Sequence, residues 1–126
     1  MKVTIKMNHS AINQLKNAAL KSVEMTAEAV KTDIVTSQVV PKNVGELEKS
    51  AFVDTKKLNK KGVARIIYDS PYARRLYWHP EYDFRTDKNP NAQGKWMDSY
   101  IDGENKDFAR NAFKKLYKQN AKGLIK

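Results

Sequence analysis

No cysteine occurs among the 126 residues. Disulfides, thiolate catalysis and cysteine-ligated metal centres are therefore excluded, and a reducing compartment is permitted. Histidine is almost as scarce. His9 and His79 lie in unrelated segments, and neither falls in an HExxH or HxH spacing, so no zinc site is expected. No apolar run approaches the ~20 residues that span a bilayer. The opening MKVTIKMNHS carries charge but no continuous apolar segment, and does not read as a secretory signal. The expected location is thus the cytoplasm in which the chain is made, with no membrane partner. No GxGxxG, Walker-type loop or GxSxG elbow is present, so no cofactor is expected. Glu81, Asp83 and Asp87 share one segment, but a good cation site needs about six oxygen ligands in fixed geometry. They read as a solvated loop. With no nucleophile beside a base, the chain is not expected to be an enzyme.

Acidic groups are also in short supply: 14 Asp and Glu stand against 24 Lys and Arg, a net charge of +10. The imbalance is local. Residues 1–55 hold 7 basic and 6 acidic groups, whereas residues 56–126 hold 17 and 8. A basic half fits contact with nucleic acid or an acidic protein surface, or serves solubility alone. The length fits one domain over 1–126, large enough for a core without staples.

Hydrophobic periodicity organises the chain. Residues 2–7 alternate apolar and polar, the mark of a half-buried strand. Asn8 or Ser10 is a fitting N-cap for a long helix over 11–36, with Ile12, Leu15, Ala19, Val23, Val30 and Ile34 at helical spacing on one side. Pro41 ends any helix before it, and Gly45 is a turn pivot. A β-hairpin is predicted over 47–68: strand formers lead from Leu47, a basic tip (KKLNKKG) follows, and Val63 to Tyr68 is the strongest strand signal. Asp69-Ser70-Pro71 starts a short helix over 71–78, with Pro71 at its first position. Residues 79–95 form a loop longer than compact domains usually hold. A second long helix covers 104–121, seamed by Phe108, Ala112 and Leu116 beside Ala109, Phe113 and Tyr117, with Gly123 as its stop. The expected fold is α+β: a small antiparallel β-sheet packed against a long N-terminal helix and a C-terminal helix.

Two features rise above this background. Between Tyr68 and Phe84, six aromatic rings lie within 17 residues, interleaved with Arg74, Arg75 and Arg85. That is more than a core helix needs. Aromatics with arginine suit single-stranded nucleic acid and dominate protein hot spots. The candidate protein interface is Tyr72, Arg74, Arg75, Tyr77, Trp78, Tyr82 and Phe84, with Trp96 at the end of the loop. The second feature is a basic face on the last helix, Lys106, Arg110, Lys114 and Lys118, with Lys115 and Lys122 nearby. It fits a phosphate backbone or a plain solvated face. A basic nucleic-acid-binding module is therefore the alternative to a protein-interaction role.

Several of these segments are familiar in combination. PKNVGELEKS (41–50) resembles the P-x-x-T-G-x-L-x-x-S stretch of minor capsid and neck proteins from tailed bacteriophages. IIYDSPYARRLYWHPEYDFRTDKNPNAQGKW (66–96) resembles their Y-x-x-P-Y-A-x-x-x-Y stretch and the following N-P-x-A-x-x-x-W. Val44 stands where Thr is often found, which bears on a local turn hydrogen bond. The resemblance spans roughly 41–118 and is carried by the order of the motifs. It implies a virion subunit, encoded among head-completion and neck genes of phages and prophages, mainly of Gram-positive hosts. It further implies a homo-oligomeric ring that joins other neck, connector or tail proteins, a residence in the host cytoplasm before assembly, and no catalytic residues.

Overall fold

The computed structural model describes residues 3–4, 8–42 and 46–122. The strand expected over 2–7 lies outside them apart from Val3 and Thr4, as do Val44, Gly45 and Gly123.

Helix α1 spans His9–Thr36, about 42 Å at 1.5 Å per residue. The Asn8 side chain caps it by accepting a hydrogen bond from the Ala11 amide at 3.1 Å. That bond satisfies one of the orphan donors at a helix start. Its buried stripe is Ala18, Ser22, Thr26, Val30 and Ile34, a strict four-residue repeat. This corrects the expected seam: Val30 and Ile34 are core, but Ile12 is 41% exposed. Small residues at 18, 22 and 26 let a second helix approach closely. Their polarity is met within α1, because Ser22 Oγ donates to the Ala18 carbonyl at 2.7 Å and Thr26 Oγ1 to the Ser22 carbonyl at 2.6 Å. Serine and threonine often bond the carbonyl one turn back in this way.

After α1, Gln38 takes a left-handed φ of 56°, and Ser37 N–H and Gln38 N–H donate to the carbonyls of Asp33 and Val35. Val40 and Pro41 are buried beyond this stop. The predicted hairpin forms, but with shorter strands. A helical turn, α2 (Glu46–Lys49), occupies the expected start of the first strand. Strand β1 (Ala51–Asp54) pairs antiparallel with β2 (Arg65–Tyr68), Ala51 facing Tyr68 and Asp54 facing Arg65. The tip between them carries α3 (Leu58–Lys61), stopped by Gly62 at φ 65°. Asp54 anchors the tip: its carboxylate accepts from the Lys56 amide at 3.0 Å and from Arg65 at 2.8 Å. Those two bonds hold its pKa below the ordinary carboxylate value, the amide contributing most.

The second half of the chain closes the core. Helix α4 is Ala73–Tyr77, two residues later than Pro71, which sits in the preceding turn. Helix α5 (Ser99–Asp102) follows the long loop, and α6 (Phe108–Asn120) begins later than the expected 104. Helix α6 packs antiparallel on α1. Asn120 Nδ2 donates to Ser22 Oγ at 3.0 Å, while Phe108 and Ala109 at the other end pack against the cluster holding Val30 and Ile34. The sheet packs against α1 as well. The arrangement is α+β, with a two-stranded sheet and two long helices.

Candidate protein interface

Helix α4 divides the aromatic segment into an inner and an outer part. Ala73 and Tyr77, four apart on one helix face, are buried. Arg74, Arg75 and Trp78 point away and are exposed. Tyr77 and Trp96 thus leave the predicted interface. Trp96 is only 2% exposed and takes Tyr77 and Tyr68 edge-on, with ring centroids 4.9 and 5.5 Å apart. Edge-to-face contacts of this kind favour the ring quadrupoles. The Tyr77 hydroxyl donates to Asp98, and Tyr100 donates to Asp33 on α1. Burial pushes the Tyr68 and Tyr100 phenols up to about 12, and burial together with Asp98 drives Tyr77 higher still.

These inner rings form the base of an outer layer. Tyr72 and Trp78 are each 60% exposed. Trp78 meets Tyr77 edge-on at 5.1 Å, and the Lys95 ammonium lies 5.6 Å from its ring centre. Lys95 holds a left-handed φ of 48° there, with its amide donating to the Tyr77 carbonyl at 2.8 Å. Tyr82 stacks on His79 at 4.7 Å, and the Arg75 guanidinium lies 5.9 Å from the Tyr82 ring centre. Phe84 sits half-buried beside Tyr82 at 6.3 Å. The acids nearby are engaged locally. Glu81 bonds His79 at 2.8 Å, and Asp87 takes both Nε and NH2 of Arg85. Each of those carboxyls is held below its ordinary pKa, chiefly by that bond. Arg74 forms no ion pair among the described residues.

The long loop is tied down along its second half. Asn89, only 3% exposed, donates to the Val40 carbonyl at 2.8 Å; Asn91 donates to Ser37, and the Gln93 amide to Val39. Asparagine side chains here replace the pairing that a regular element would supply. The surface that emerges is Tyr72, Arg74, Arg75, Trp78 and Tyr82, with Phe84 at its margin.

Comparison with protein-family models, curated proteins and solved structures gave no match. Among the described residues no group of three or more His, Cys, Asp or Glu is placed to hold a metal ion, and no helix is long and apolar enough to cross a membrane.

Of the basic face predicted on the last helix, Arg110, Lys114 and Lys118 are exposed on α6, whereas Lys106, also exposed, lies in the turn before it because α6 starts only at Phe108. None of the four forms an ion pair among the described residues. Sequence reasoning missed what lies beside it. An open apolar groove of about 400 Å³ runs between β2 and α6, with α1 as its floor. The sequence signal for it was the small residues Ala27, Ala64 and Ala109, which leave space between elements that larger side chains would fill.

Proposed function

We propose that this chain is a structural subunit of a phage or prophage virion. It acts as a minor capsid or neck protein that takes part in head–tail joining through protein–protein contacts, as a homo-oligomeric ring, and has no catalytic role. The reading draws on the order of motifs over 41–118. The observation that carries it furthest is the outer layer of α4: Tyr72 and Trp78 stand 60% exposed beside Arg74 and Arg75, on a base of buried rings. Large exposed aromatics with arginine are what protein interfaces concentrate. Their base is packed edge-on and hydrogen-bonded, an arrangement that lowers the ordering cost of assembly.

The test mixes the purified protein with connector and with tail tube from the phage or prophage that encodes it, followed by sedimentation. A complex is expected with one of them, and Trp78→Ala is expected to weaken it roughly 30-fold, the loss typical of a hot-spot aromatic. A monomer that joins neither component, at concentrations where the neck assembles, would sink the proposal. A nucleic-acid module would use the α6 stripe alone, and its affinity would fall steeply with salt. The apolar groove along that stripe gives protein the better claim.

A further inference from the structure

The outer layer of α4 and the segment around α5 carry opposite charge. On α4, Arg74 and Arg75 stand exposed between Tyr72 and Trp78, with the Lys95 ammonium beside the Trp78 ring. Residues 72–95 hold 5 basic and 3 acidic groups. Two of those acids are engaged where they stand, Glu81 with His79 and Asp87 with Arg85. Arg74, Arg75 and Lys95 form no ion pair among the described residues.

Residues 98–107 show the reverse. They hold 4 acidic groups against 1 base, Lys106, in a chain whose net charge is +10. Asp98 accepts from Tyr77. Asp102, Glu104 and Asp107 are exposed and form no ion pair among the described residues. Between them Ile101 stands 75% exposed, while its neighbour Tyr100 turns inward to donate to Asp33. Beside this strip opens a polar cleft of about 590 Å³, lined by Ser99, Glu104 and Asn105 and by Ser37, Asn91 and Gln93. Carboxylate, amide and hydroxyl oxygens are acceptors, which suits a guanidinium with its five donors.

The two patches are separate. Tyr77 leaves α4 on its inner side, and its hydroxyl reaches Asp98, the residue before α5. The inner rings thus lie between the outer layer of α4 and α5. Two α4 layers brought face to face would set arginine against arginine, which disfavours a twofold contact there. Repulsion between whole chains is screened beyond about 8 Å at physiological salt, so the charges at the contact decide.

We propose that α4 of one copy docks on α5 of the next, with Trp78 against Ile101 and with Arg74 and Arg75 toward Asp102 and Glu104. The contact is heterologous, and such contacts form rings where the rotation closes. The inference rests on the reading of α4 as a protein interface and names what that interface holds. Connector or tail tube then meets the assembled ring, so weakening this contact weakens that complex too.

The test is sedimentation velocity of the whole protein alone over a range of concentrations. The wild-type chain is compared with Arg74→Glu, with the double variant Asp102→Lys, Glu104→Lys, and with an equal mixture of the two. All three positions are exposed, and circular dichroism checks that the fold survives. The wild type is expected to self-associate, and each variant to weaken that association at least about tenfold by turning attraction into repulsion. The mixture is expected to restore it, because each variant offers the charge that the other lacks. Ile101→Ser removes the apolar tip without touching charge and is expected to weaken association as well. A wild-type chain that stays monomeric overturns the proposal, as does a mixture that stays apart. Loss of association in Arg74→Glu alone, with the α5 variants unaffected, would mean an α4–α4 contact and overturns it too. A monomer that still joins connector or tail tube refutes this contact and leaves the neck role standing. A chain that self-associates as expected but joins neither component refutes the neck role and keeps the contact.

Discussion

Replacing Trp96 by alanine tests the division of the aromatic segment into core and surface. The indole is 2% exposed and makes edge contacts with Tyr68 and Tyr77. Truncating a buried Trp or Phe costs about 3–5 kcal/mol, and the two ring contacts account for roughly 1–3 of that. At this chain length, between the small and the larger domain classes, each kcal/mol lowers Tm by about 3–5 °C. A drop of roughly 10–25 °C is expected on that slope. Trp78→Ala is the internal control. Trp78 is 60% exposed, and it loses one edge contact and a cation over its face, together about 1–2 kcal/mol. Equilibrium urea unfolding of both variants, followed by circular dichroism so that the lost fluorophore does not matter, gives the comparison. If Trp96→Ala costs no more than Trp78→Ala, the buried base is wrong. Trp96 would then return to the list of interface residues.

Three other perturbations probe single positions. Gly94→Ala would set a Cβ 2.7 Å from Pro80 Cα, a backbone clash expected to cost about 2 kcal/mol or more by denaturant titration. Gly62→Ala meets only Leu20 at 4.0 Å and pays for its left-handed φ alone, about 1 kcal/mol; a reversed order of the two would refute the packing of the loop on Pro80. Gln38→Gly relieves a left-handed φ of 56° at the end of α1 and is expected to raise stability by about 0.5–1 kcal/mol, read as a higher urea midpoint. In alkali, Tyr68 and Tyr100 keep their protons to about 12 when folded, but lose them near 10 when unfolded. The folded state then binds more protons, so stability is complete below pH 10 and falls as pH rises toward 12. Urea midpoints should drop as pH rises from 10 to 12, and buried phenols that ionise near 10 in a folded protein would contradict their burial.

The α+β class and the sites of the long helices were legible because their apolar spacing persists over many turns. The buried stripe of α1 was harder to read. Hydrophobicity pointed to Ile12, Leu15, Ala19 and Val23, yet the helix turns Ser22 and Thr26 inward. Their hydroxyls are satisfied by carbonyls one turn back, so polarity carries little cost, and their small size admits α6. A row of small residues at four-residue spacing was the signal, and it competes with hydrophobicity only once a partner helix is known. The strand starting at Leu47 failed for a similar reason. Leu47 is buried, but from a helical turn, and burial alone does not distinguish the two in so short a segment.

The aromatic segment shows most clearly where composition stops and geometry begins. Six rings with interleaved arginines marked a candidate surface, but composition could not say which rings are exposed. A helix of five residues decides, because positions 73 and 77 must face one way while 74, 75 and 78 face others. Tyr77 then needs a polar partner for its hydroxyl, supplied by Asp98, and an edge-on neighbour, supplied by Trp96 from beyond the loop. The loop's length follows from that requirement. It carries the chain from Trp78 back beneath the same helix, held on the way by Asn89, Asn91 and Gln93 against residues 37–40. Trp96 therefore acts on the α4 surface from below. Its loss should impair binding at Trp78 only by loosening the base, which predicts that Trp96→Ala weakens assembly in proportion to its destabilisation, whereas Trp78→Ala weakens assembly by more than its smaller loss of stability accounts for.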